Sequence, residues 1–301
     1  VADRAREDGD IEQQLRIMEE ARTAGVSLLD IDGGEPTLYP HLSTLLERAV
    51  ELGFETVSLT TNGRRLSDPA FCSVLARFPL KVLISLHGSN AELHDGLVRV
   101  DGAWRQTLKG ILNAKKHLDV TAVNTTVVSE NIHDLPQMAE LLAKLGSLPW
   151  KVQLYTPFGN CDAASAVRPE ILRLQLPQLL ERWGERLKMQ VVNAPFCMAP
   201  GGERFLMRDF FKTARNMLFT DGRNVNLAEF LREKRFKNGS CLECPHDSVC
   251  GGFWDYGQNL ETGETYRIRL LDVIPGYACN ARCVFCAVES SGDSRKMSTE
   301  R

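Results

Sequence analysis

Residues 277–286 read Tyr-Ala-Cys-Asn-Ala-Arg-Cys-Val-Phe-Cys, which places Cys279, Cys283 and Cys286 in C-x3-C-x2-C spacing. Thiolates are the soft ligands that iron–sulfur clusters and zinc both take. A closed structural zinc site needs a fourth ligand nearby, and this loop does not supply one. A cubane cluster held by three cysteines instead leaves one iron open for another molecule. A zinc knuckle remains the alternative interpretation of the loop.

This spacing resembles the cluster loop of the radical S-adenosylmethionine (SAM) enzymes, in which an aromatic residue often stands where Phe285 does. The resemblance implies a [4Fe–4S] cluster on the three cysteines, with the amino and carboxylate groups of SAM bound to the open iron. It also implies that an electron from the cluster cleaves SAM to a 5′-deoxyadenosyl radical, which abstracts hydrogen from a substrate. The electron would come from a donor such as flavodoxin or ferredoxin.

The composition is that of an ordinary globular protein, with 43% hydrophobic and 25% charged residues. A net charge of -3, a pI of about 6.1 and the lack of a basic stripe argue against a nucleic-acid partner. No apolar run approaches a membrane span, and Val1-Ala-Asp-Arg does not resemble a signal peptide. The nine cysteines fall mostly in metal-ligand spacings, so we expect a cytoplasmic protein without full disulfide pairing.

Apolar strand segments alternate with helical segments of about 10–15 residues along most of the chain. The predicted strands lie at 26–31, 56–63 (a strand and turn), 81–88, 120–128, 150–160 (a strand and loop) and 266–274, and 189–193 follows the last predicted helix. The predicted helices are 10–24, a segment around 42–49, 71–77, 104–118, 136–145 and 171–187. This alternation predicts βαβ units and a parallel sheet. Together with the resemblance, it predicts an α/β fold, a partial (β/α)6 TIM-like radical SAM barrel with a small irregular domain attached.

Candidate cofactor-binding residues stand near the carboxyl ends of the predicted strands. Gly33-Gly34-Glu35-Pro36 resembles the Gly-Gly-Glu motif of the family, where glycines allow a close backbone approach and the SAM amino group needs acceptors. Ser85 resembles the strand residue that touches the ribose in relatives, and Asn124 is a similar candidate on the next strand. Arg99 in His-Asp-Gly-Leu-Val-Arg resembles an arginine that pairs with the SAM carboxylate. The alternative for Gly33-Gly34-Glu35-Pro36 is a plain turn, and the alternative for Ser85 is a strand-end cap. Asn124 could instead be a turn partner, and Arg99 a surface charge.

The order of these parts is unusual, because the family usually has the cysteine loop before the Gly-Gly-Glu strand. Here the loop lies near residue 301, and reading residue 301 on into residue 1 restores the usual order. The chain therefore reads as a circular permutation, with 1–193 and 266–301 forming the barrel. The alternative is that 266–301 begin a second, truncated domain.

A second set of cysteines lies in the predicted extension at 194–265. Cys241, Cys244 and Cys250 have C-x2-C-x5-C spacing, and Cys197 upstream supplies a fourth thiolate, with Cys161 in reserve. The segment resembles the Twitch or SPASM-like extensions of radical SAM enzymes and implies one auxiliary [4Fe–4S] cluster. Structural zinc on four cysteines is the alternative. Cys72 falls in a predicted helix and is expected to be a buried hydrophobic residue.

The sequence thus predicts a radical SAM enzyme that abstracts hydrogen from its substrate. Relatives with such extensions modify peptides or oxidise small molecules, so peptide modification is the preferred hypothesis. A radical SAM dehydrogenase acting on a small molecule is the alternative within enzymes. A non-catalytic structural module with zinc at both cysteine sets is the alternative outside them.

Overall fold

The computed structural model describes most of the chain up to residue 254 and one later strand. The described residues are 10–156, 163–207, 214–218, 224–226, 229, 232–233, 235–254 and 268–273. The predicted cluster ligands Cys279, Cys283 and Cys286, with Phe285 and the reserve ligand Cys161, lie outside the described residues.

Helices and strands alternate through the first two thirds of the chain, as the sequence pattern predicts. The helices are α1 Ile11–Thr23, α2 Leu42–Glu51, α3 Pro69–Leu75, α4 Ala91–Val98, α5 Ala103–His117, α6 Leu135–Lys144 and α7 Pro169–Trp183. The strands are β1 Leu28–Ile31, β2 Thr56–Thr61, β3 Leu80–Ser85, β4 Asp119–Val127, β5 Trp150–Leu154, β6 Gln190–Val192, β7 Ala214–Leu218, β8 Asn224–Asn226, β9 Arg235–Phe236, β10 Phe253–Trp254 and β11 Ile268–Val273. None of the helices in these described ranges is both long enough and apolar enough to cross a membrane.

Nine of the strands form one sheet in the order β6-β5-β4-β3-β2-β1-β11-β7-β8. All neighbours in it are parallel except the antiparallel pair β7 and β8. Alternate side chains of strands β1 to β5 are buried in one core with the apolar faces of the helices. Leu45, Leu46 and Ala49 of α2 belong to this core, which explains why apolar residues recur at helical spacing in this segment. The residues between the buried ones lie on the opposite face of the sheet.

The last described strand stands beside the first one. Leu28 to Ile31 pair in parallel with Leu270 to Val273, and β11 pairs on its other side with β7. The permuted reading predicts this neighbour relation, and the register confirms it. A segment that began a separate second domain would not have this place in the sheet.

Two parts of the fold differ from the sequence prediction. α4 was not predicted, because it is short and contains Gly96; the Asn90 side chain caps it by accepting from Leu93 N at 3.0 Å. β7 and β8 were also not predicted, and they lie inside the predicted extension at 194–265 while extending the barrel's sheet beyond β11. The domain boundaries at 193 and 266 stay a prediction.

Candidate active site

The carboxyl ends of β1 to β4 bring most of the predicted cofactor residues to one edge of the sheet. Gly33, Gly34 and Glu35 follow β1, Ser85 ends β3, and Asn124 lies in β4. Ser85 and Asn124 are direct partners in the parallel register of these strands, so their side chains leave the same face of the sheet. The structure therefore gathers residues that are up to about ninety positions apart in the sequence.

The carboxylate of Glu35 joins the loop after β1 to the end of β2. Its Oε1 atom accepts hydrogen bonds from Thr37 N at 3.2 Å, from Thr37 Oγ1 at 2.6 Å and from Thr61 Oγ1 at 2.6 Å. Its Oε2 atom accepts from Asn62 N at 2.7 Å. The side chain is only 3% exposed, so burial of its charge is balanced by four donors of the protein itself.

Gly33, two residues before Glu35, has a backbone conformation that L side chains rarely adopt. Gly33 has φ 132°, and its N–H donates to Asp32 Oδ1 at 2.8 Å. Any side chain at this position would be strained, whereas glycine is not. The loop therefore keeps bare backbone at the carboxyl end of β1.

Asn124 presents an acceptor without a donor in the part of the chain that the structure describes. The residue is only 7% exposed, and its Oδ1 atom has no hydrogen-bond partner there. A buried carbonyl oxygen without a donor costs about 1–3 kcal/mol, so such groups call for an explanation. A ligand that donates to this atom from the open face of the sheet would supply one.

Charged residues on the same face act on one another across several strands. The pKa of Asp32 is raised to about 6, mainly by burial. The charges of Asp30 and Glu35 also raise this pKa, whereas the hydrogen bond from Gly33 N and the charge of Lys151 lower it. The Asp32 side chain reaches solvent, so we attribute the burial effect to the protein atoms crowded around it rather than to full enclosure.

Lys151 stands in β5, four strands away from Asp32 at the end of β1. A flat sheet would hold these strands about 19 Å apart. Lys151 is nevertheless one of the charges that act on the pKa of Asp32.

Two histidines beside the site form a buried, neutral pair. The rings of His87 and His94 stack with centroids 5.9 Å apart. His94 Nδ1 accepts from His87 N at 3.0 Å, and His87 Nδ1 accepts from Thr126 N at 3.2 Å. Burial, with a smaller contribution from the neighbouring His94, lowers the pKa of His87 to about 3. Burial is also the main cause that lowers the pKa of His94 to about 4. The pair holds the loop after β3 through these hydrogen bonds to backbone N–H groups.

This pair predicts acid sensitivity of the fold. Below pH 6.5 the unfolded chain binds protons that the folded chain does not, so the free energy of unfolding falls as the pH drops from about 6.5 toward 4. Over two pH units the loss is about 2–3 kcal/mol for each ring. Urea unfolding of His94→Asn, which keeps an acceptor for His87 N, should show roughly half of this dependence.

His133→Asn supplies the matched control, because it makes the same substitution at an exposed position outside this pair. Asp32 acts in the opposite sense between about pH 4 and 6, since its raised pKa makes the folded chain hold the extra proton there. The comparison is therefore made between variants at each pH. Equal slopes for the parent chain and His94→Asn would contradict the assignment.

Arg99, another predicted cofactor residue, follows helix α4 and does not stand at the end of a strand. It is exposed and follows α4 with φ 54°, a left-handed conformation that is uncommon for arginine. Its N–H closes the helix end on the Asp95 carbonyl. Its pairing with a SAM carboxylate stays a prediction.

The second cysteine set is described, and its thiols are free. Cys241, Cys244 and Cys250 are partly exposed, Cys197 is exposed, and Cys72 is fully buried in α3 as predicted. Burial raises the pKa of the Cys72 thiol to about 11, which suits an inert core residue. Across the described ranges, no three His, Cys, Asp or Glu side chains are grouped so that they could hold a metal ion.

The cysteine segment nevertheless docks next to Cys197. The rings of Phe196 and His246 stack at 4.9 Å, so the turns that carry Cys244 and Cys250 lie against the loop after β6. Trp254 Nε1 donates to Asn193 O at 2.8 Å, and the Arg235 guanidinium lies 3.9 Å from the centroid of the Trp254 ring. The predicted ligands thus share one region, although their sulfurs do not form a site.

Several contacts of this edge were not found from the sequence. The sequence places Thr61 and Asn62 among the polar residues at strand ends, but their hydrogen bonds to Glu35 depend on the fold. Asp32 directly before the glycines had the same signal, because a polar residue at a strand end belongs to the active edge of such folds. Lys151 sits in an ordinary strand pattern and had no such signal.

The fold and the polar edge define a class of protein, an α/β partial barrel with polar residues at the carboxyl ends of its strands. Residues 2–142 match the family model of the Radical SAM superfamily. This part of the chain, a little under half of it, is therefore similar to Radical SAM domains.

Curated relatives match about half of the chain. An AdoMet-dependent heme synthase of Methanosarcina barkeri is 28% identical over 158 residues, 52% of this chain and 45% of that protein. A probable GTP 3',8-cyclase of Methanopyrus kandleri is 35% identical over 147 residues, 48% of this chain and 46% of that protein. The chain therefore spans about half the length of the curated relatives it matches.

Solved structures match more of the chain at lower identity. Native anSMEcpe with bound AdoMet and Kp18Cys peptide has a TM-score of 0.62 and 13% identity, and the match covers 87% of this chain and 85% of that one. Streptococcus suis SuiB bound to S-adenosylmethionine has a TM-score of 0.56 and 18% identity, and the match covers 83% and 67%. The predicted fold class, a partial radical SAM barrel, is confirmed.

Proposed function

We propose that this chain is a radical SAM enzyme that abstracts hydrogen from a peptide and thereby modifies it. Bound to a reduced [4Fe–4S] cluster, SAM supplies the 5′-deoxyadenosyl radical for this chemistry. Cys279, Cys283 and Cys286 would hold the cluster, with Phe285 beside them. A flavodoxin or ferredoxin would serve as electron donor.

The cofactor proposal rests mainly on the buried Asn124 Oδ1 atom, which has no hydrogen-bond partner among the described residues. SAM offers hydroxyl and amino donors, and a donor placed against the face shared by Ser85 and Asn124 would satisfy this acceptor. The bare backbone at Gly33 and Gly34 would let the amino-acid end of SAM approach closely. The residues present therefore fit the cofactor that the superfamily implies, with Arg99 as a proposed partner of the carboxylate.

This site is tested by removing the acceptor. Asn124→Leu should weaken SAM binding about tenfold or more, because a donor of SAM would face an apolar side chain. Equilibrium dialysis on the anaerobically reconstituted protein measures the affinity, and iron content should stay unchanged. Unaltered affinity in this variant would remove Asn124 from the site.

The preference for a peptide rests on the structural neighbours. The two neighbours are named with bound peptides, Kp18Cys for anSMEcpe and the precursor SuiA for SuiB, and each match covers at least 80% of this chain. The curated relatives match only about half of the chain, and their names refer to heme and GTP. A small-molecule substrate, as in a dehydrogenase, is therefore the second candidate.

An auxiliary [4Fe–4S] cluster on Cys197, Cys241, Cys244 and Cys250 is part of the proposal. Its support is the docking of the C-x2-C-x5-C segment against the residue next to Cys197. Iron and sulfide analysis of the anaerobic protein tests it, with about eight irons expected for two cubanes. Zinc in place of iron in this segment would favour the structural alternative.

The substrate class is tested in the SAM cleavage assay. With dithionite as reductant, the reconstituted protein should form 5′-deoxyadenosine, and a peptide substrate should raise the rate. Peptides deuterated at carbon should transfer deuterium to 5′-deoxyadenosine. Deuterium transfer from a small molecule, with no transfer from any peptide tried, would support the small-molecule dehydrogenase instead.

A further inference from the structure

The carboxylate of Glu35 is held by hydrogen bonds from within the protein. Three donors of Thr37 and Thr61 point at Oε1 and one donor of Asn62 points at Oε2, so Oε1 has no acceptor site left and Oε2 has one. At 3% exposure the side chain is enclosed by the two loops that it joins. The resemblance suggested that this carboxylate is an acceptor for the SAM amino group, and the geometry favours a different use.

The end of β2, to which Glu35 is tied, is itself fixed to helix α5. Thr107 Oγ1 donates to Asn62 O at 2.9 Å. A Cβ atom at Gly110 would lie 2.0 Å from Gly63 O, so the helix backbone is pressed directly against the turn after β2. Glu35 therefore ties its own loop to a fixed frame.

A second contact runs in the opposite direction. Arg65, in the turn after β2, donates from Nη1 to the Thr37 carbonyl, and its guanidinium lies 4.0 Å from the centroid of the Phe71 ring. The loop after β1 is thus held to the β2 end by one acidic and one basic side chain, each reaching into the other's loop.

We propose that Glu35 is a positioning residue whose carboxylate, with Arg65 as the reciprocal contact, fixes the Gly33–Gly34 backbone for the cofactor without touching the cofactor itself. This inference rests on the proposed function, because it assigns the glycine backbone to SAM. It changes the expected consequence of altering Thr61, whose hydroxyl is then as important for SAM affinity as the carboxylate that it meets.

The test compares Glu35→Gln, Thr61→Val and the double variant in the reconstituted protein, with SAM as the probe. Each single variant should raise the dissociation constant of SAM about tenfold, and the double variant should raise it by little more than either one. Independent effects would multiply to about a hundredfold. Thr61→Ser keeps the hydroxyl and should restore affinity to within about twofold of the parent chain.

A second readout does not depend on SAM. In the ligand-free protein, amide hydrogen exchange over 33–37 should accelerate in Glu35→Gln and Thr61→Val, and not in Thr61→Ser. Thr125→Val is the matched control, since it also removes a buried threonine hydroxyl, one that donates to Leu86 O at 2.7 Å. It should leave both SAM affinity and exchange over 33–37 unchanged.

The outcomes separate the two proposals. If the parent chain binds no SAM but exchange over 33–37 rises in Glu35→Gln and Thr61→Val, Glu35 still fixes the Gly33–Gly34 backbone and the proposed function fails. If Glu35→Gln weakens SAM binding while Thr61→Val does not, the carboxylate contacts the cofactor directly and the positioning role is overturned. Unchanged exchange in both variants also overturns it.

Discussion

Replacing Cys279, Cys283 and Cys286 together with alanine is expected to abolish reductive SAM cleavage. The three thiolates are the proposed ligands of the cluster that supplies the electron, so without them 5′-deoxyadenosine should fall to the level of the no-protein control. Iron should fall from about eight to about four atoms per chain if the auxiliary cluster remains. Colorimetric iron analysis and chromatography of the assay mixture measure the two effects.

The control for this variant is Cys72→Ala. Cys72 is fully buried in α3 and its thiol donates to Leu66 O, so this change tests cysteine loss without ligand loss. Iron content and SAM cleavage should match the parent chain. Unchanged iron in the triple variant would show that the loop at 279–286 does not hold the cluster.

The second cysteine set predicts the complementary result. Alanine at Cys241, Cys244 and Cys250 should remove the other half of the iron while the loop at 279–286 keeps its own. Loss of about four irons in each triple variant would assign one cluster to each set. Loss of zinc only would assign the second set to a structural metal.

How far the sequence alone predicts this molecule depends on the range of the interactions involved. Most strands and helices up to residue 193 follow from local periodicity, with α4 as an exception, and Asn124 and Ser85 follow from their position at strand ends. β7 and β8 were missed because their short, polar segments become strands only by pairing with β11 and each other.

The candidate site shows the same division. The Gly-Gly-Glu motif was found from the sequence, but the partners of the Glu35 carboxylate were not, because Thr61 and Asn62 come from another strand. The effect of Lys151 on Asp32 depends on the arrangement of separate strands, which no local pattern reports. The stacked pair of His87 and His94 likewise needed the fold of the loop after β3.

Ending the chain at residue 265 is expected to prevent folding, because β11 fills the place between β1 and β7. Its loss removes two parallel ladders, four residues long toward β1 and five toward β7. At about 0.5–1.5 kcal/mol net for each hydrogen bond, these ladders represent a large share of a typical stability of about 5–15 kcal/mol. The exposed edge of β1 would also favour aggregation.

A chain ending at residue 273 is the matched control. It keeps β11 and loses the cysteine loop, so it should retain cooperative thermal unfolding by circular dichroism while failing to cleave SAM. A third chain, in which 266–301 precede residue 1, should fold with the same sheet, because the strand then reaches the same place by the order usual in the superfamily. Cooperative unfolding of the chain ending at 265, at the parent's midpoint, would show that β11 is dispensable and that its place beside β1 does not stabilise the barrel.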